Sequence, residues 1–182
     1  MKKILLLLAV FCAVSVAAQE KIKWMSMDEA LAAQAQQPKK IFVDMYTSWC
    51  GPCKMLDRNT FSNADVANYI NTNFYPVKFN AEGNETVNYN GNVFTNPGYD
   101  PAKARRRNSS HQFTRHMGVR AYPTVLFLDE KGNLINRVKS YRTPQQMELY
   151  LKLFGTDQWE SIKTQEQFDA YYANFKPTFR GE

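Results

Sequence analysis

The feature that most constrains this chain is a strand-like run followed almost at once by two cysteines. Ile41-Phe42-Val43-Asp44-Met45-Tyr46 is nearly unbroken apolar sequence, the pattern of a central strand buried on both faces. Thr47-Ser48-Trp49 then leads into Cys50-Gly51-Pro52-Cys53-Lys54, so the cysteines are expected where a strand passes into a helix. Pro52 suits a first helical turn, where its missing N–H has no helical partner to lose. A bond between cysteines three positions apart closes almost no loop and adds little stability. Such a pair is better explained by chemistry.

That chemistry follows from position. A cysteine at a helix N-terminus faces unpaired N–H groups and the positive end of the helix dipole, which favour its thiolate. Cys50 is therefore expected to be the attacking nucleophile. Cys53, one turn on and expected to be the less exposed, is placed to resolve a mixed disulfide from within the molecule. Gly51 keeps the surface flat enough for a protein substrate to approach.

The first eighteen residues read as a secretory signal peptide. Lys2 and Lys3 precede the apolar run 4–14, which ends in the small residues Ser15-Val16-Ala17-Ala18. The run is too short to span a bilayer, which weighs against an uncleaved anchor. Bulky Phe11 before Cys12 weighs against lipoprotein processing. Cleavage after about Ala18 removes Lys2, Lys3 and Cys12, lowers the formal charge from +6 to +4, and leaves 164 residues. The expected location is periplasmic or secreted. The mature chain keeps two cysteines, Cys50 and Cys53, whereas an exported disulfide scaffold spreads several over distant loops. So mild a positive charge gives no reason to expect nucleic acid as a partner. A single domain over 19–182 is expected from the length and from the ordinary apolar and charged fractions of 44% and 22%.

Along the mature chain, Ser26 with Glu29 forms a capping box for a helix over 27–36, with Ala30 and Leu31 inward. Strand 41–46 follows, then a helix from Cys50 to about Asn59 that restarts at Ser62, with Asp65 as its capping partner. Residues 75–80 read as the next strand. From 81 to about 110 the pattern breaks into Asn- and Gly-rich sequence with Arg105-Arg106-Arg107, expected to be a surface insertion with a solvated arginine face. Asp100-Pro101 could cap a helix running on into 111–117. Strand 124–128, a turn at 129–133 and edge strand 134–139 form a hairpin. Thr143 with Gln146 opens a helix ending at Gly155, and a helical C-terminal extension follows over 156–182. There Thr164 and Gln167 form a cap, and Phe168, Tyr171, Tyr172 and Phe175 form an apolar stripe expected to pack as core. This order predicts an α/β fold with a mixed central sheet and helices on both faces.

Trp49-Cys50-Gly51-Pro52-Cys53-Lys54 resembles the thioredoxin active-site motif letter for letter. Phe42-Val43-Asp44 resembles the strand carrying that family's buried aspartate, and Gly118-Val119-Arg120-Ala121-Tyr122-Pro123-Thr124 its cis-proline segment. With its export signal, the Thr60-Phe61-Ser62 break and the Asp65-Val66 restart, the chain resembles the exported thioredoxin-like domains of periplasmic electron relays, such as the C-terminal domain of DsbD. The resemblance implies a thioredoxin-like fold over about 41–154 and a thiol–disulfide oxidoreductase with no cofactor beyond the Cys50–Cys53 pair. It implies that Asp44 takes a proton from Cys53, with Lys78 as its electrostatic partner. It also implies that Pro123 is cis, that the Tyr122 backbone pairs with an extended substrate, and that Trp49, Gly51 and Pro52 form part of the docking surface. Protein disulfides are the implied substrates and a membrane-bound electron donor the implied partner. Two features depart from the family: Ser140-Tyr141-Arg142 stands where it usually has a glycine, and the 81–110 segment is far longer than in the plain fold.

Other readings compete. Cys50 and Cys53 with His111 and His116 offer four zinc ligands, but a spacing of five sets the histidines apart around a helix, and surface roles are expected for both. A non-enzymatic binding module would have no need of both thiols. Within the enzyme class, the same motif can reduce, oxidise or isomerise disulfides. Gly51-Pro52 and Asp44 favour a reductase.

Overall fold

A computed structural model describes residues 20–181. The expected signal peptide and Cys12 lie outside the described residues. Local signals set most helix starts. In α1 (Met27–Gln36) the Ser26 hydroxyl accepts from the Glu29 N–H, while the Glu29 carboxylate accepts from the Ser26 N–H at 2.7 Å. The same reciprocal cap opens α5 (Pro144–Gly155) with Thr143 and Gln146, and α6 (Gln165–Asn174) with Thr164 and Gln167.

The sheet has the order β2-β1-β5-β6, with β1 (Lys40–Tyr46) central. β1 pairs parallel with β2 (Phe74–Asn80) and antiparallel with β5 (Thr124–Leu128), and β6 (Leu134–Lys139) closes the far edge. This is the mixed sheet that the sequence order predicts. Side chains alternate along β1, so Ile41, Val43 and Met45 point to one face while Phe42 and Asp44 point to the other. The first set packs with α1 and α4 (Gln112–His116) through Met27, Ala30 and Phe113. Phe42 lies beneath α3 (Ala64–Asn73) and α5, among Phe61, Phe74, Phe127 and Trp24, with ring centroids 5.4–6.2 Å away. Burying each such ring contributes about 1.5–3 kcal/mol. The free edge of β2 is covered in part by Met25, whose N–H donates to the Pro76 carbonyl at 2.9 Å.

Several expectations need correction. The helix after Cys50 does not run unbroken to Asn59: α2 (Gly51–Met55) passes into a π-helical turn, Leu56–Phe61. The wider turn shifts the register, and Asn63 rather than Ser62 caps α3. Its side-chain oxygen accepts from the N–H groups of Asp65 and Val66 at 3.0 and 3.2 Å, while Ser62 donates to the Arg58 carbonyl. Leu31 is half-buried, less inward than expected. The 81–110 segment is ordered by a hairpin, β3 (Val87–Tyr89) and β4 (Asn92–Phe94), turning at Asn90-Gly91. Both turn residues have positive φ, 49° and 74°, which suits Asn-Gly. Asp100 caps only a short 3₁₀ turn, Pro101–Lys103, and α4 starts afresh at His111.

The C-terminal extension is a partial cover rather than core. Phe168, Tyr171 and Phe175 are half-buried, and Tyr172 is 56% exposed. What fastens it is polar. Glu148 of α5 is fully buried and accepts from the N–H groups of Thr178 and Phe179, the Thr178 hydroxyl and the Lys152 ammonium, all within 3.0 Å. Arg180 then forks onto Asp65 at 2.7 and 3.0 Å. Burial pushes the Glu148 carboxyl up, but these donors outweigh it and hold it below the usual range. Replacing Glu148 by Ala strands the Thr178 and Phe179 N–H groups and the Thr178 hydroxyl, and by the usual cost of breaking a buried charged network it destabilises by about 3 kcal/mol in urea unfolding. Arg180→Ala removes an exposed pair and shifts the midpoint far less.

Candidate active site

The two cysteines sit at the end of β1. Cys50 and Cys53 are joined as a disulfide, with Cα atoms 5.3 Å apart. Cys50 has extended backbone and caps α2, and its Sγ accepts from the Cys53 N–H at 3.1 Å. That first-turn N–H is the donor that favours a thiolate once the pair is reduced. Pro52 occupies the first helical turn, as its fixed φ and missing N–H require. The expected difference in exposure is not found: joined as a disulfide, each cysteine is 3% exposed. Gly51 and Pro52 are exposed, and a Cβ on Gly51 would meet no atom within 4 Å. The surface over the cysteines is therefore low and open.

Beneath it lies a buried ion pair. Asp44 is 1% exposed and stands opposite Lys78 in the β1–β2 register, and the Lys78 ammonium donates to Oδ2 at 2.8 Å. Oδ1 has no hydrogen-bond partner among the described residues. Burial raises the Asp44 pKa from 3.8 to about 6, the attraction of Lys78 offsetting only part and the charge of Asp57 adding to the rise. Lys78 also pairs with Asp57, on the π-helical turn, and its ammonium lies 4.9–5.7 Å from the ring centres of Tyr46, Trp24 and Phe61. Burial pulls the Lys78 pKa down, but its two carboxylates outweigh this and leave it raised. Asp57 has no signal in the sequence that singles it out; it lies on the π turn, where it reaches Lys78.

The third component is the Tyr122-Pro123 bond, which is cis and buried at the proline. Tyr122 meets Trp49 edge-to-face at 6.1 Å. Trp49 is held on two further sides by the 81–110 segment. Its indole N–H donates to Glu82 at 2.7 Å, and the Arg107 guanidinium lies 4.6 Å from its ring centre. The same Glu82 oxygen accepts from the Asn108 N–H at 2.9 Å, and the Ser48 hydroxyl donates to the Ala104 carbonyl at 2.7 Å. The arginine run is exposed, as expected, yet Arg107 is engaged with the active-site tryptophan.

The zinc set is not assembled. Cys50 and Cys53 are bonded to each other, and His111 is fully buried rather than on the surface. Its Nδ1 accepts from the Phe113 N–H at 3.0 Å as the cap of α4, and its Nε2 lies 2.7 Å from the Glu85 carbonyl. That pairing requires a neutral imidazole, and burial, with Arg115 adding, lowers its pKa. His116 is exposed. Ser140, in the segment that lacks the expected glycine, has φ +72°, a conformation that glycine adopts more easily.

The thioredoxin-like domain family model matches residues 27–155. The chain belongs to that family. Among curated proteins, it is 29% identical over 108 residues to the thiol:disulfide interchange protein DsbD of Citrobacter koseri, covering 59% of this chain and 15% of that one. The DsbD of Escherichia coli K12 is 28% identical over 94 residues, 52% of this chain and 13% of its own length. The chain thus spans a small part of these relatives. Among solved structures, a thioredoxin-fold protein of Helicobacter pylori aligns with a TM-score of 0.58 at 16% identity, over 75% of this chain and 81% of that one. A proposed disulphide-isomerase of Bacteroides thetaiotaomicron aligns at 0.51 and 29% identity, over 75% and 95%. Family, fold and disulfide together support thiol–disulfide oxidoreductase activity.

The raised Asp44 pKa has a signed consequence. The folded state holds this proton more tightly than the unfolded chain, so the stability it contributes is full below about pH 4 and is lost as pH rises through 6. Asp44→Asn, which leaves Lys78 paired with Asp57, is expected to raise unfolding stability by about 3 kcal/mol at pH 8 and by almost nothing near pH 4. Denaturant titrations at the two pH values measure this.

Proposed function

We propose that this chain is an exported protein-disulfide reductase that acts by dithiol–disulfide exchange and is kept reduced by a membrane-bound donor. The observation that carries the reading is the Cys50–Cys53 disulfide at a helix start, on the strand that bears buried Asp44. Among the described residues no helix is long and apolar enough to cross a membrane.

In the reduced protein the Cys50 thiolate attacks one sulfur of a client disulfide. A Cys50–client mixed disulfide forms and the other client sulfur leaves as a thiolate. Cys53 then gives up its proton and attacks Sγ of Cys50. Asp44, with a pKa near neutrality, is the group suited to take that proton. The second client sulfur leaves, and the Cys50–Cys53 disulfide is restored with two electrons passed to the client. Lys78 holds the Asp44 carboxylate. Cis-Pro123 and the Tyr122 backbone present the edge to which an extended client segment adds, and Trp49, Gly51 and Pro52 form the rest of the contact. Export rests on the signal-like residues 1–18, and the donor on the need to re-reduce the pair in an oxidising compartment.

The likeness to the proposed disulphide-isomerase of Bacteroides thetaiotaomicron favours a second reading, in which the same centre reshuffles disulfides. Equilibration with glutathione separates the readings. A potential near about −270 mV supports the reductase, one near about −180 mV the isomerase, and one near about −120 mV overturns both in favour of an oxidase. Cys53→Ser removes the resolving thiol, so Cys50-linked clients are expected to accumulate as mixed disulfides visible on non-reducing gels. Their absence in cells expressing that variant refutes the assigned division of labour.

A further inference from the structure

We propose that the 81–110 segment gives the redox centre a cationic rim that selects client disulfides flanked by carboxylates. The inference rests on the exchange reading above and names the client chemistry.

The rim is anchored to the centre. Ala104 accepts from the Ser48 hydroxyl, two residues before Cys50, and Arg107 stacks on Trp49, which adjoins Cys50. The stretch between these anchors holds Arg105 and Arg106. Both are exposed, and neither forms an ion pair among the described residues. The nearby acids are already engaged. Asp100 pairs with Lys103 at 3.2 Å, and one Glu82 oxygen accepts from both Trp49 and Asn108. Lys54, next to Cys53, and Arg120, three residues before cis-Pro123, are exposed on the chain segments that supply the remainder of the centre.

The segment is also rigid enough to hold those charges in place. The Asn108 side chain joins Asp100 through two bonds of 2.8 and 2.9 Å, and the Asn96 amide bridges the Gly83 and Ser109 carbonyls at 2.8 Å. Two exposed arginines therefore stand on a segment anchored beside the redox centre, Arg105 with no ion-pair partner among the described residues and Arg106 sharing the field of Asp100 with Lys103. An approaching peptide with Asp or Glu beside its cysteine supplies the missing charge. Rim charges of this kind act chiefly on encounter rate and partner choice, and salt screens them.

The test uses the full chain, reduced with dithiothreitol and then freed of it, in a single turnover. Cys50 and Cys53 lose two electrons and two thiol protons as their disulfide forms, and the client S–S bond becomes two thiols. Three peptide disulfides of one length differ only in the residues beside cysteine: Asp/Glu, Ser or Lys. The expected order of rate is acidic, neutral, basic, with acidic about tenfold above basic at ~0.01 M salt, where charges act over about 30 Å. The gap closes to about twofold at ~1 M salt, where they act over about 3 Å. Arg105→Glu with Arg106→Glu is expected to abolish or invert the order, and the paired glutamines to weaken it. Thermal unfolding checks that these surface variants fold. Equal rates in the wild type, a preference for the basic peptide, or a preference that survives charge reversal overturns the cationic rim and leaves the exchange reading intact. Failure to reduce even the neutral peptide overturns the exchange reading, and the rim with it.

Discussion

The structure turns on one ion pair placed where a sheet tolerates charge least. Asp44 lies in the central strand, on the face that also buries Phe42, and its neighbours on the opposite face are Val43 and Met45. A lone carboxylate there would have to neutralise or unfold its surroundings. Lys78 makes it tolerable because the parallel register of β1 and β2 sets the two residues opposite each other. A slip of one residue would turn Lys78 to the other face and leave Asp44 unpartnered, so the pair also fixes the register of the strands that carry it. The compensation is incomplete. Burial still outweighs the attraction, and what is left over is a carboxyl that titrates near pH 6.

That residual instability connects fold to chemistry. A carboxylate fully satisfied by Lys78 would be a poor acceptor at neutral pH, and one with no lysine would be held protonated. Asp57 adjusts the balance from the solvent side by sharing the same ammonium. It can do so because α2 widens into a π turn, which gives the irregular stretch Leu56–Phe61 a consequence at the site.

How much of this was legible in the sequence follows the range of the interactions. Capping boxes at Ser26, Thr143 and Thr164 are contacts over three residues, and each was read correctly. So were the buried strand at 41–46 and the hairpin around 129–133, where periodicity and turn residues agree. The Asn90-Gly91 turn was also written in the sequence, but its strands are three residues long and partly exposed, which leaves too little pattern to notice. The sequence points to Ser62 as the cap of α3 and the structure uses Asn63, because a π turn has no simple sequence mark. His111 depends on the Glu85 carbonyl 26 residues away, and Arg107 reaches Trp49 across 58 positions. No local rule reports such contacts. Around the cysteine pair, the Asp44–Lys78 contact and cis-Pro123 are where the sequence points, while the frame of Asp57, Glu82 and the arginine stack has no mark in the sequence.

The 81–110 segment leaves and rejoins the fold at nearly one point. The Ala81 N–H donates to Tyr46 at 2.8 Å, and the Ala81 carbonyl accepts from His111 at 2.9 Å. A loop whose ends are already side by side costs little more to lengthen, because closure entropy grows only slowly with size. Within the loop, Val87 and Tyr89 pack into the core below the sheet, whereas the disulfide and the Asp44–Lys78 hydrogen bond are made by residues outside it. The exposed stretch around Arg105 and Arg106 can therefore be exchanged while the hairpin that packs on the core is kept. One reaction centre is free to acquire new clientele without its electron chemistry being rebuilt.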